Sequence, residues 1–326
     1  MAAEANLFSP AELAYLYKSL SQTPAIRPDG RTATQFRPLT AETGILPGCN
    51  GSARVCLSDG TEAIVGVKAE LERTTTTTTT TADWLELTIE IPGQRDDEAA
   101  TVFLAEMLRE ALVCDGDGGD KILLVSPPLS YPVPLLSTTS HLALLATRLP
   151  RLRSEGDEDP MFDDDWEAST FLYPRDQESP RPPITLLVMS ASNNIILDPA
   201  REELIVADAI LAVSVSEVRR SGPNDSSTTT TTKPDLRLVS VRSIDPPSRL
   251  TPPGVPNSAS TTTANGVPVV DTQTQPFRLG PGDEGVWRPP VGGVKISVLE
   301  GMMQAVLERE GVAREVLDGL EGVELA

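Results

Sequence analysis

Over Glu62–Leu71, Ala63, Val65, Val67, Ala69 and Leu71 fall on one side and Glu62, Lys68 and Glu70 on the other. A period of two predicts a strand with one face on a core. Ser52–Leu57 predicts a shorter strand before it, joined through an Asp59-Gly60 hairpin turn, and Gly48-Cys49-Asn50-Gly51 supplies turn residues ahead of both. Leu85, Leu87, Ile89 and Ile91 alternate with Glu86, Thr88 and Glu90, predicting another half-buried strand that Pro92-Gly93 ends.

Helical spacing appears elsewhere. Ser9-Pro10-Ala11-Glu12 has the form of a capping box with proline at the first helical position, and Leu13, Leu16, Tyr17 and Leu20 then share one face, predicting a helix to about Ser21 with Leu7 and Phe8 as a staple. Asp96 or Asp97 is expected to cap a helix that turns Phe103, Leu104, Met107, Leu108, Ala111 and Leu112 inward and Glu106, Arg109 and Glu110 away, and that stops at the glycine-rich Asp115–Asp120. A short strand at Ile122–Val125 and a helix over Ser137–Leu149 follow, and Pro127, Pro128, Pro132 and Pro134 argue against regular structure over most of the interval between them. Farther on, strands are expected at Ile184–Met189, Ile195–Leu197, Ile210–Val215 and Leu236–Val241, with a helical turn in Pro199–Ala207. Ser297 and Glu300 are expected to cap a long helix facing Leu299, Met302, Met303, Val306 and Leu307 to the core, before a short acidic helix through Leu320. That order predicts an α+β fold with helices on one side of each sheet.

Composition trims the folded part of the 326 residues. The threonine run Thr74–Thr81 reads as a lengthened hairpin loop, and Ser221–Pro234 and Pro246–Gly285 combine Pro, Ser, Thr and Gly with few large apolar residues, too few to offset the entropy of ordering. Glu155–Glu178 is an acidic, solvated insertion with Phe162 and Trp166 as anchors. The expected division is an N-terminal amphipathic helix in residues 1–25, a first half in 26–153, the acidic insert in 154–182, and a second half in 183–326 with disordered inserts near 221–234 and 246–285.

Charge and cysteine usage narrow the function classes. With 47 Asp and Glu against 27 Lys and Arg, the chain as a whole repels phosphate backbones, so any RNA contact is local or supplied by partners. Cys49, Cys56 and Cys114 are an odd number without CxxC spacing, against both a disulfide framework and a zinc site and in keeping with a reducing compartment. No apolar run approaches the ~18 residues of a membrane helix, and the N-terminus lacks a basic region followed by an apolar core, so a soluble intracellular protein with no membrane partner is expected. His141 is the lone histidine and reads as structural, which disfavours serine or cysteine hydrolysis of the usual kind. Asp115–Asp120 lacks the ligand spacing of a calcium loop, Asp163–Asp165 reads as a solvated face rather than a magnesium site, and neither GxxxxGK[ST] nor GxGxxG is present. No cofactor or metal is expected.

RPDGR at Arg27–Arg31, FRP at Phe36–Pro38, NGSARV at Asn50–Val55, SDGTEAIVGVK at Ser58–Lys68 and GQRDD at Gly93–Asp97 together resemble the RNase PH family of the RNA exosome ring. The likeness runs from Leu13 to about Arg109 and again over Ile184–Val215, and elsewhere rests on the order of elements. It implies an RNase PH-like fold, related to the second domain of ribosomal protein S5, and points to phosphorolysis as the ancestral reaction. Active members carry a glycine-rich loop ending in Thr or Ser then Arg at the start of the second helix, where this chain reads SPPLSYPVPLLSTTSH without glycine or arginine. Ser137-Thr138-Thr139 is then expected at that helix start, as an N-cap or a backbone anion site. Asp198, Glu203 and Asp208 lie where active relatives carry catalytic carboxylates, and read here as structural acids.

The resemblance therefore implies a non-catalytic ring subunit with no catalytic residues of its own, contacting RNA through Arg95 and Arg109. Its implied partners are other RNase PH-like ring subunits, cap proteins with S1 and KH domains, an associated nuclease, and RNA in the central channel, in the nucleus (nucleolus) and cytoplasm. Sheet edges and the exposed sides of the strands around Ile64 and Leu87 are the expected interfaces. Arg148, Arg151 and Arg153 form a second basic group that the acidic insert is placed to neutralise. An active phosphorolytic ribonuclease, alone or sharing a site with a partner, and an interaction protein recruiting basic factors are the alternatives.

Overall fold

In the computed structural model, residues 8–71, 85–93, 95, 97–114, 121–122, 132–154, 160–174, 181–217, 235–244 and 294–325 are described. The threonine run, the Asp115–Asp120 loop and the low-complexity segments 221–234 and 246–285 lie outside them, as does most of the strand expected at Ile122–Val125.

Helix α1 (Pro10–Leu20) begins as the sequence dictates, with Ser9 Oγ accepting from Glu12 N at 3.3 Å and Ser9 N donating to Glu12 Oε2 at 2.7 Å. Strands β1 (Leu39–Thr43), β2 (Gly51–Leu57) and β3 (Glu62–Val67) form a three-stranded antiparallel sheet in that order. Gly60 turns the β2–β3 hairpin at φ +84°, a conformation that favours glycine. Asn50 explains the NG that opens β2: its Oδ1 accepts from Ala69 N at 2.8 Å and its Nδ2 donates to Arg148 O at 3.3 Å, so one side chain pins three segments. Gly51 beside it lies so close to Thr147 that a Cβ would stand 2.5 Å from the Thr147 Cα.

Residues 85–91 alternate between half-buried and exposed, but they form no ladder. Ile89 and Ile91 pack on a core cluster. The alternation reported one-sided burial, and burial does not itself supply a hydrogen-bonded neighbour. Helix α2 (Ala99–Cys114) starts beyond Asp97, whose carboxylate instead accepts from Arg95 at 2.9 and 2.7 Å. After β4 (Lys121–Ile122) comes α3 (Val133–Leu145), which starts four residues earlier than its hydroxyl-rich stretch suggested. Pro132 stands at its N-cap and Pro134 in its first turn, where a missing N–H costs nothing.

A ribbon of short strands follows, β5 (Arg148–Leu149), β6 (Leu152–Arg153), β7 (Met161–Phe162) and β8 (Thr170–Phe171). The chain then forms β9 (Ile184–Ala191), β10 (Asn194–Leu197), α4 (Arg201–Ile205), β11 (Ala209–Glu217) and β12 (Leu236–Ile244), and closes with α5 (Ile296–Leu307) and α6 (Val312–Glu321). Ser297 and Glu300 fall inside α5, whose N-cap is Lys295, so neither caps it.

The architecture is α+β, as expected, but the larger sheet is covered on both faces. Its order is β10-β9-β11-β12-β4, with β4 parallel to β12 and the rest antiparallel. Leu187, Met189, Ile210 and Ala212 point to Leu13, Leu20, Leu104 and Met107 of α1 and α2, while Ile184, Leu186, Val188, Leu211 and Val213 point to Met302, Val306, Val316 and Leu317 of α5 and α6. Burial on both sides is why Leu186–Met189 of β9 and Ala209–Val213 of β11 read as continuous apolar runs. Helix α3, apolar around most of its girth, lies against the three-stranded sheet through Leu135, Leu142 and Ala143 and against β9 through Ser137, whose Oγ accepts from Thr185 N at 2.7 Å. At the far end of β11, Glu217 accepts from Arg181 at 2.5 and 2.8 Å and from Arg314 at 2.7 Å, fastening α6 to the sheet. Burial pushes the Glu217 carboxyl up, but the two guanidinium groups outweigh it and hold the group below the ordinary range.

Candidate functional site

The segment Ile26–Pro38 has no helix or strand, yet its Arg27, Arg31 and Arg37 are all buried. Arg27 and Glu203 are both completely buried, paired through Nε–Oε1 at 2.9 Å and Nη2–Oε2 at 2.8 Å. The remaining donors of Arg27 reach Thr32 O and Leu197 O, both at 3.2 Å, and Asp198 O at 2.9 Å. Asp198 receives Arg31 Nη1 at 2.9 Å, Arg37 Nε at 2.9 Å, Arg37 Nη2 at 2.7 Å and the Arg37 backbone N at 2.9 Å. Its own backbone sits at φ +47°, which an aspartate tolerates better than a branched residue.

Two half-exposed carboxylates close the network, Asp29 on Arg31 at 2.6 Å and Asp59 on Arg37 at 2.8 Å. Burial pushes Asp29 up, while hydrogen bonds from Arg31 and the charges of Arg27 and Arg31 hold it below the usual carboxylate range. These guanidinium groups are saturated by protein acceptors and so are committed to fastening the loop onto β10 and α4 rather than to an incoming phosphate. Asp198 and Glu203 are both buried and paired with arginine. Their arginine partners, some 170 residues earlier, were visible only as motif letters.

Asp208 lies nearer the surface and is also occupied. Tyr17 of α1 donates its hydroxyl to Oδ2 at 3.1 Å, and the Ser192 backbone N donates to the same oxygen at 2.6 Å. Burial first, then the negative charge of Asp208, pushes the Tyr17 hydroxyl up to about 12, so it remains a proton donor at neutral pH.

At the head of α3 the structure corrects the sequence reading. Ser137, Thr138 and Thr139 lie in the body of the helix, all buried, and bond inward: Thr138 Oγ1 donates to Pro134 O at 2.8 Å and Thr139 Oγ1 to Leu135 O at 2.7 Å. They are neither an N-cap nor an anion site. His141 is completely buried, with Nδ1 2.7 Å from Pro182 O and Nε2 without a partner. The bond fixes the proton on Nδ1, and desolvation pushes the imidazole down to about 4.

Of the two sequence-predicted RNA contacts, Arg95 is 83% exposed and forms a surface pair with Asp97. Arg109 is half-buried rather than outward, bridging to Glu106 at 2.8 and 2.9 Å. Its neighbour Glu110 turns to Arg242 of β12, whose guanidinium lies 5.7 Å from the Phe103 ring centre, so this side of α2 faces β12. Arg153 meets Asp163 at 3.4 Å, whereas Arg148 lies over the Trp166 and Phe171 rings at 5.8 and 5.0 Å, with no acidic partner among the described residues. Asp163 and Asp165 accept local backbone bonds from Asp165 N and Glu167 N. Among the described residues no group of three or more His, Cys, Asp or Glu is placed to hold a metal, and no helix is long and apolar enough to cross a membrane.

No family model matches the chain. It is 35% identical over 235 residues to the exosome complex component RRP42 of Saccharomyces cerevisiae, an alignment covering 66% of this chain and 84% of the yeast protein. It is 31% identical over 234 residues to the exosome complex component rrp42 of Schizosaccharomyces pombe, covering 63% and 77%. Among solved structures, a chain of the Archaeoglobus fulgidus exosome with RNA bound to the active site is 18% identical, with 67% of this chain and 89% of that chain covered and a TM-score of 0.38.

Proposed function

The chain belongs to the family of the exosome complex component Rrp42, and we propose that it is a non-catalytic subunit of the exosome core ring, forming part of the wall through which RNA passes to be processed and degraded from its 3′ end. The observation that carries the non-catalytic reading is the state of its acids. Asp198 and Glu203 are buried under arginine, and Asp208, the one nearest the surface, already holds the Tyr17 hydroxyl and the Ser192 N–H. A general acid or base needs a free position within reach of the reacting oxygen. Here α1 occupies it. The stretch leading into α3 also lacks the arginine with which active relatives hold phosphate.

In this reading the work is mechanical and electrostatic. Neighbouring RNase PH-like subunits complete the ring, S1 and KH cap subunits sit above it, and a separate nuclease cuts the RNA. Arg95 and Arg109 supply this chain's share of cationic contacts, each by exchanging a carboxylate partner for a phosphate. The assembly works in the nucleus, including the nucleolus, and in the cytoplasm.

The test is phosphorolysis. Purified chain, alone and with its ring neighbours, is incubated with oligoadenylate and inorganic phosphate, and release of ADP is followed. The expected result is no ADP above that of the neighbours alone, and no change on Asp208→Asn. ADP release that disappears in Asp208→Asn favours the rival reading, an active phosphate-dependent exoribonuclease.

A further inference from the structure

Strand β3 ends the three-stranded sheet, and its outer edge has no partner strand among the described residues. Leu57 N donates to Thr61 O at 2.9 Å, and antiparallel bonding alternates along a strand, so Ala63, Val65 and Val67 spend their backbone groups on β2. Glu62, Ile64 and Gly66 then turn their N–H and C=O groups toward the open edge. All three are exposed. Such an edge is a template for another strand.

The sequence of β3 says which strand fits. Glu62, Ile64, Gly66 and, one position past the strand, Lys68 fall on the face turned away from the core. Laid antiparallel against the same strand of a second copy, with a two-fold axis at Val65, Glu62 stands opposite Lys68, Ile64 opposite Gly66, and Val65 opposite itself. Opposite charges thus meet twice by symmetry, once on each side of the axis. Moving the axis to Gly66 would instead set Glu62 against Glu70. In the single chain Glu62 pairs with Arg54 and Lys68 with Glu70, both at the exposed surface, where an ion pair is worth little and is readily exchanged. Gly66 presents no side chain, and Leu46, 37% exposed, lies over it with Cδ1 3.0 Å from where a Cβ would stand, so Ile64 of the second copy comes down on Leu46. The net charge of −20 opposes approach, but screening within ~8 Å leaves the contact itself to decide. We propose that the chain outside the ring pairs with a second copy of itself through the β3 edge, antiparallel about a two-fold axis at Val65.

The test is sedimentation equilibrium of the purified full chain alone, at concentrations up to about 100 μM. A reversible dimer is expected. Lys68→Glu is expected to weaken it roughly tenfold, and Glu62→Lys combined with Lys68→Glu to restore it, whereas Lys295→Glu, the same charge change at an exposed site elsewhere, leaves it unchanged. Residues opposite each other in a non-hydrogen-bonded pair have Cα atoms about 4.5 Å apart, within disulfide reach, so Val65→Cys is expected to give an oxidised, covalently linked dimer that the wild-type chain does not. A chain that stays monomeric, a dimer that Lys68→Glu weakens no more than Lys295→Glu does, or Val65→Cys that links no better than wild type would overturn the proposal.

Discussion

Arg37 holds Asp198 from three donors at once, the two forks of its guanidinium at 2.9 and 2.7 Å and its own backbone N–H at 2.9 Å. The two residues are 161 positions apart, Arg37 in the FRP motif and Asp198 in the second stretch of family likeness, Ile184–Val215. The two stretches thus meet in one buried contact. Arg27 and Glu203 repeat the arrangement beside it.

Removing one partner of such a pair leaves an uncompensated buried charge. Asp198→Asn keeps the volume and tolerates the left-handed backbone, so it isolates the charge; a loss of about 3–5 kcal/mol in unfolding free energy is expected, read by urea denaturation. Arg27→Met alone is expected to cost a similar amount, and Arg27→Met with Glu203→Met to recover most of it, because the desolvation penalty disappears with both charges.

His141 makes stability depend on pH in a defined direction. The unfolded imidazole protonates near 6.5, whereas burial keeps the folded one neutral down to about 4. The stabilisation from neutral burial is therefore complete above the unfolded value and is lost as pH falls toward the folded one. About 3 kcal/mol should disappear across that window. His141→Asn, which keeps a donor facing Pro182 O, is expected to flatten the pH dependence of thermal unfolding over the same window.

Two glycines separate tight packing from mere helix propensity. Gly51→Ala drives a methyl against the Thr147 backbone and is expected to cost about 1–3 kcal/mol. Gly319→Ala, in α6 with open space around it, is expected to gain up to about 1 kcal/mol. Denaturation midpoints of the two variants should shift in opposite directions.

Within the assembled ring, Arg95→Ala and Arg109→Ala are each expected to weaken RNA binding evenly across sequences. Each should also lower the slope of log affinity against log salt by about 0.7, as loss of one phosphate contact on a single strand does. An unchanged slope would mean that neither arginine contacts the RNA.

Local order was largely legible in the sequence. The capping box of α1, the β2–β3 hairpin and the helical turn at α4 follow from near-neighbour chemistry that leaves a signature in consecutive residues. The start of α3 was missed because its prolines were weighed as breakers, although the first turn accepts them. The second helical layer on the large sheet was also missed, although β9 carries its signal, an apolar run too continuous for a strand with one face in water. The arginine cluster was beyond reach. Which buried guanidinium meets which distant carboxylate depends on how the loop Ile26–Pro38 folds across β10, and no periodicity encodes that.

The most direct test of the central claim is reconstitution of the ring from purified subunits, with native mass spectrometry to weigh the assembly and an RNA decay assay on the same sample. A single copy of this chain in a hetero-oligomer, with decay unchanged when its Asp208 becomes Asn, is the predicted result. A chain that stays outside the assembly, or decay that falls with Asp208→Asn, would contradict it.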